Sequence, residues 1–191
     1  MQQARDNFFA EQLQDVPLEN VVVLDESYAT TVFTRLRGRC PVDQRLKQPV
    51  PAGHWKRLTI LAAITVTGVL AAASINAATD GQVFDSFVRD CLVPAMRPGM
   101  VVVMDNLSSH KVAGVREAIE AASCRLVYLP PYSPDYSPIE NIWSKAKSVM
   151  RMLEARTLED LEAAVTLALQ EVTASECQNC FKDCGYTLHL K

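Results

Sequence analysis

The sequence has no excess of positive charge. Nineteen lysines and arginines face 22 acids, for a formal net charge of -3. Bulk charge therefore announces no nucleic-acid partner, and only a local basic patch can argue for one. No signal peptide is expected in residues 1–17, MQQARDNFFAEQLQDVP, which hold acids and glutamines where an apolar run is needed. Its six cysteines, at 40, 91, 124, 177, 180 and 184, are neither dense nor evenly spaced, which excludes a secreted disulfide scaffold. A reducing cytoplasm is expected. No internal repeat and no low-complexity segment is present. One stretch without charge, Leu58 to Thr79, is long enough to cross a bilayer. It contains Thr59, Thr65, Thr67, Ser74, Asn76 and Thr79, with Gly68 in its middle. Two buried strands joined by a turn near Thr67-Gly68 account for it better, and no membrane partner is expected.

What is there suits one soluble folded unit: 191 residues, 49% hydrophobic and 21% charged. Residues 1–19 read as a polar, partly helical lead-in. Val21 to Leu24 is a short apolar strand with Asp25 and Glu26 at its tip. Residues 34–57 form a basic loop or ragged hairpin, with Arg35, Arg37, Arg39, Arg45, Lys47, Lys56 and Arg57 against Asp43 alone. After the charge-free hairpin, the spacing predicts a helix over 80–96 and a strand from Gly99 into Asp105. A helix over 111–122 and a strand over 125–129 follow. The helix beginning at Pro138 has the cleanest period, with Ile139, Ile142, Trp143, Ala146, Val149, Met150 and Leu153 on one stripe. Thr157 caps a last helical region, 157–191. Strands alternating with helices predict an α/β fold with a mixed sheet.

Active sites in such sheets gather at the carboxyl ends of strands. Two strands here end in acids, Asp25 and Asp105. A single aspartate after a strand is usually a turn former, but two on neighbouring strands repel and call for a cation between them. Oxygen ligands suit Mg²⁺ or Mn²⁺. Glu140 has two readings. Ser137-Pro138-Ile139-Glu140 fits a capping box, in which Glu140 only starts the helix. Glu140 also opens a helix face that continues through Ser144, Lys147 and Arg151, an acid followed by groups that suit a phosphate backbone.

The strings VVVLDES around Asp25, VVVMDNLSSH around Asp105 and PPYSPDYSPIENIW around Glu140 resemble the Asp–Asp–Glu blocks of mariner-like DDE transposases, in particular the bacterial insertion-sequence branch. The gap between Asp105 and Glu140, residues 106–139, matches the family spacing, and the C-terminal CGY is also familiar from it. The resemblance runs from about residue 19 to 186. It implies a ribonuclease-H-like fold and a triad, Asp25, Asp105 and Glu140, that is catalytic and holds two Mg²⁺ or Mn²⁺ ions. Asp25 bridges both ions, and Asp105 and Glu140 each complete one. It further implies cleavage of double-stranded DNA at transposon ends and strand transfer into a target, by a homodimer in a bacterial, nucleoid-associated setting. Full-length relatives carry N-terminal helix-turn-helix modules, for which there is no room before Val21. A truncated copy, or a split frame whose other polypeptide reads the ends, is expected. The alternatives are a decayed or domesticated DNA-binding relative and a different ribonuclease-H-like nuclease.

Other residues carry weaker expectations. Arg35, Arg37, Arg39, Lys47, Lys56, Arg57, Lys147 and Arg151 are expected to meet DNA phosphates, since phosphate contacts dominate such affinity. His110 suits a phosphate or a structural place near a helix start. Asn106 suits orienting a carboxylate, and Asp135 suits a turn that helps position a water. Glu26 points away if the first strand continues. Trp55 either stacks on a base or packs inside. Cys177, Cys180, Cys184 and His189 form no usual zinc spacing and read as buried free thiols on one helix face.

Overall fold

The structure, a computed structural model, describes residues 7–77, 80–107 and 111–186. Five strands form one mixed sheet in the order β3-β2-β1-β4-β5. They are β1 (Val21–Thr30), β2 (Arg57–Thr65), β3 (Gly68–Ile75), β4 (Val101–Met104) and β5 (Arg125–Tyr128). β1, β2 and β3 are antiparallel neighbours, whereas β1, β4 and β5 run parallel. The charge-free run is thus the predicted pair of strands, turning at Val66-Thr67 into Gly68, whose φ of 135° favours glycine. No described helix is long and apolar enough to cross a membrane.

Helices cover both faces. Helix α1 spans 81–95, as α-helical Gly81–Phe87, a π-helical turn Val88–Leu92 and a last turn Val93–Ala95. Asp80 caps it by accepting the Gln82 and Val83 N–H groups. Then come α2 (Ala113–Ala121), α3 (Pro138–Leu153), α4 (Leu158–Gln170) and α5 (Ala174–Asp183). Side chains alternate across the strands, which splits the core in two. Val22, Leu24, Leu61, Val102 and Met104 pack with Phe84, Phe87, Leu92 and Ile119 of α1 and α2. Val21, Val23, Ile60, Ile64, Val103 and Val127 pack with Ile139, Ile142 and Trp143 of α3. Leu161 and Val165 of α4 and Phe181 of α5 complete that second layer.

Three local expectations are corrected. β1 does not stop at Leu24: it continues to Thr30 because β2 supplies an antiparallel partner for every residue from Val23 to Thr30. Asp25 therefore lies inside a strand, not at its tip. The lead-in is not merely polar, since Phe8, Leu13 and Leu18 are buried in the α3-side core. The capping box at Ser137 does not form: Ser137 makes no side-chain cap, and Glu140 donates only its backbone N–H, to the Ser137 carbonyl. A true capping box stands instead at Thr173 and Glu176, at the start of α5.

Residues 34–56 hold no regular element, as expected, and nearly all are exposed. The base of this arm is pinned. Lys56 N–H donates to Thr31 Oγ1 and Thr31 N–H to the Lys56 carbonyl. The Arg156 guanidinium donates to the carbonyls of Thr31 and Phe33.

If α5 belongs to the same core as the sheet, Phe181→Ala removes a fully buried ring and costs about 3–5 kcal/mol. Urea unfolding measures this, with the exposed Lys182→Ala as a control expected within about 0.5 kcal/mol of the parent. A loss below about 1 kcal/mol for Phe181→Ala would separate α5 from the core.

Candidate active site

The site is built from a parallel ladder and a helix start. β1 and β4 pair in four rungs, from Val21 with Val101 to Leu24 with Met104. The next residue on each chain is an acid, so Asp25 and Asp105 stand side by side. Alternation puts both on the face that carries α3, because Val21, Val23, Val101 and Val103 belong to that core. β4 ends at Met104, and the sheet opens beside Asp105.

Glu140 comes from the first turn of α3. Pro134–Tyr136 forms a 3-10 turn, Ser137 is extended, and Pro138 sets the first helical φ. The Tyr186 hydroxyl donates to the Tyr136 carbonyl and ties this turn to the CGY segment. Phe9 packs against both Tyr136 and Tyr186. The lead-in and the C-terminal helix together prop the loop that delivers Glu140.

Asp25, Asp105, Asn106 and Glu140 line one cavity of about 490 Å³, with an apolar wall from Leu24, Leu129, Pro130 and Pro131. Tyr132 stands on its lip in a left-handed conformation with φ 58°. Asp105 is half-buried and accepts the Leu107 N–H at 3.2 Å, so its turn-forming role is real as well. Asp25 accepts a hydrogen bond from Trp143 Nε1 at 3.0 Å through Oδ2. Burial pushes its carboxyl up from an ordinary 3.8 to about 7. The Glu26 N–H opposes this, the Glu140 charge adds to it, the Trp143 bond opposes it, and Asp105 adds the least. Among the described residues, no three His, Cys, Asp or Glu side chains converge closely enough to grip one ion.

The other expected residues divide. Asp135 lies exposed in the 3-10 turn and does not line the cavity, although its neighbour Pro134 does. Its proposed help in positioning a water finds no support in this placement. Glu26 points to the opposite face, and one of its carboxylate oxygens is buried without a hydrogen-bond partner. His110 and His189 lie outside the described residues. Cys177 and Cys184 are buried free thiols, both pushed up to about 11 by burial.

Three of the expected cations gather. Arg57 Cζ lies 4.5 Å and Lys147 Nζ 4.8 Å from the centre of the Tyr28 ring. Arg151 lies 4.6 Å from the Phe33 ring. Arg35, Arg37, Arg39, Lys47 and Lys56 are spread along the exposed arm, and Trp55 is exposed there, not packed inside. Sequence reasoning assigned Trp143 to the apolar stripe and missed its bond to Asp25. The available signal was the indole itself, since a buried tryptophan N–H usually finds an acceptor.

A family model described as DDE superfamily endonuclease matches residues 20–162, and the chain belongs to that family. The fold is the ribonuclease-H-like one of the Mos1 transposase catalytic domain. It matches the Mos1 transposase paired-end complex with left transposon end at a TM-score of 0.76 and 15% identity, over 95% of this chain and 57% of that one. The Mos1 strand transfer complex matches at 0.73 and 15%, over 95% and 56%. The Mos1 catalytic domain with Raltegravir and Mn matches at 0.69 and 12%, over 95% and 86%. This chain therefore spans little more than half the length of the Mos1 chains in the DNA complexes. No curated protein matches the sequence.

The Asp25 shift has a sign that can be measured. The folded state keeps the proton up to about pH 7, whereas the unfolded chain loses it near 3.8. Stability from this group is full below about pH 4 and is lost as pH rises through 7. Asp25→Asn is therefore expected to be more stable than the parent at pH 8 without divalent ions, by roughly 4 kcal/mol. The gap should close towards pH 4, as urea unfolding at the two pH values would read. A gap of equal size at both pH values would show that Asp25 is not held protonated by its surroundings.

Proposed function

We propose that this chain is the catalytic part of a transposase, cutting DNA at the ends of a mobile element and joining those ends to a target. The observation that carries this reading is that Asp25, Asp105 and Glu140, at the family's spacing, face one cavity in a ribonuclease-H-like fold. The Mos1 matches, complexes with transposon DNA among them, support the substrate class.

The donor set fits divalent metal. Three carboxylates border one cavity, and the charges of Glu140 and Asp105 both raise the Asp25 carboxyl, so the site is short of positive charge. In this reading Asp25, Asp105 and Glu140 would together hold a pair of Mg²⁺ or Mn²⁺ ions. Bound there, the pair supplies an activated water or DNA 3′-hydroxyl and a stabilised leaving oxygen for in-line displacement.

The chain's own residues do the rest. Asn106, exposed at the cavity edge, orients a carboxylate or the substrate. The apolar wall of Leu24, Leu129 and Pro130 keeps bulk water from one side of the acids. Arg57, Lys147 and Arg151 form a basic lip on the Tyr28 and Phe33 rings, placed to take phosphates leading to the site. The arm carrying Arg35, Arg37, Arg39, Lys47 and Lys56 extends that charge. Two copies hold two element ends together, and a helix-turn-helix module on a further segment or a separate polypeptide reads the end sequence.

Asp25→Asn, Asp105→Asn and Glu140→Gln are each expected to abolish Mn²⁺-dependent nicking of DNA that carries the inverted repeats flanking the gene. Circular dichroism should stay unchanged. Full activity in Glu140→Gln would sink the triad. Intact DNA binding with no cleavage by the parent would favour the decayed relative instead.

Changing Arg35, Arg37 and Arg39 together to alanine is expected to weaken DNA binding and to flatten the slope of log K against log salt by about 2–3, near 0.9 for each lost phosphate contact. Fluorescence anisotropy across a salt series reads this, and an unchanged slope would return the arm to plain solvent.

A further inference from the structure

Trp143 lies on α3 three residues after Glu140, and residues at that spacing are neighbours on a helix. Its ring is 3% exposed, wedged beside Ile139, Ile142 and Ala146 in the core. Packing alone asks for a large apolar ring there, and a phenylalanine would supply one. The indole adds an N–H, and that N–H is spent on Asp25 Oδ2 at 3.0 Å, across 118 positions of sequence. A buried, packed ring is a rigid donor, whereas the last torsion of a carboxylate is soft and takes its rotation from the donors around it.

We propose that Trp143 is a positioning residue for the acid site: its indole N–H, acting with the backbone N–H of Glu26, fixes the Asp25 carboxylate in one rotation and leaves its remaining lone pairs for a ligand. This rests on the metal reading given above. One helix then sets two of the three acids. α3 carries Glu140 directly and holds Asp25 through Trp143, so the spacing between these acids is built into a single rigid element. Asp105 alone is set by the β-ladder and its own turn bond to Leu107. Partners that orient a metal ligand typically matter for affinity by about 10–100-fold.

The test is Mn²⁺ binding to the whole chain, read by the electron paramagnetic resonance of free Mn²⁺ well below the thermal transition. Trp143→Phe is expected to weaken Mn²⁺ binding by about tenfold or more. Its metal-free thermal midpoint is expected to stay close to the parent's. A fallen midpoint with Mn²⁺ affinity within about twofold of the parent would show a packing role alone and overturn the inference.

Since a smaller ring can disturb the core, a second variant carries benzothienylalanine at position 143, which keeps the shape of indole and replaces its N–H with sulfur. It is expected to fold like the parent and to bind Mn²⁺ as weakly as Trp143→Phe. Parent-like binding by this variant also overturns the inference. Asp25→Asn and Glu140→Gln serve as controls. Should Mn²⁺ binding survive them, the metal reading itself fails and takes this inference with it. Should they lose binding while both Trp143 variants keep it, the site stands and only the positioning role falls.

Discussion

Everything chemical in this chain depends on four hydrogen-bonded rungs between β1 and β4. A ladder has a side-chain period of two, so a slip of one residue would turn every side chain to the other face. Here such a slip would carry Asp25 away from α3 and put Leu24 in its place. What forbids it is burial on both faces: Val21 and Val23 are wedged into one core, and Val22 and Leu24 into the other. The acids are held in place by the packing of the valines and leucines that precede them.

The same arrangement creates an electrostatic problem. A carboxylate at Asp25 has lost much of its water and faces two more acids, and its only compensation from the described side chains is the Trp143 donor. The fold tolerates this because the rest of the sheet is apolar and well packed. A shifted carboxyl facing further acids in one cavity is the pattern that marks candidate functional sites. The basic groups stay outside it, on the Tyr28 and Phe33 rings and along the arm. None of these cations lines the cavity that holds the acids.

Much of the fold was readable from local pattern. The i, i+3, i+4 stripe of α3, the charge-free hairpin and the alternation of strands and helices each follow from residues close in sequence. The three acids were readable too, since each ends or opens an apolar run. What escaped were features decided by distant partners. β1 runs through the polar stretch Asp25 to Tyr28 only because β2 lies alongside. The lead-in is anchored by Phe8 and Phe9 on Tyr136 and Tyr186, contacts between opposite ends of the sequence. Ser137 does precede α3, but its side chain makes no cap bond. Trp143 looked like one more core residue because periodicity reports the face a side chain occupies and says nothing of its hydrogen bond.

The chain's two tryptophans fall in opposite surroundings. Trp143 is sealed beside the acids, and Trp55 stands 55% exposed on the basic arm. Their emission should separate by wavelength, blue for the sealed ring and red for the open one. A paramagnetic ion settling on Asp25 would quench the first, and a polymer lying along the arm would perturb the second. The molecule thus carries its own pair of optical reporters, one at each surface where its chemistry is expected to meet a partner.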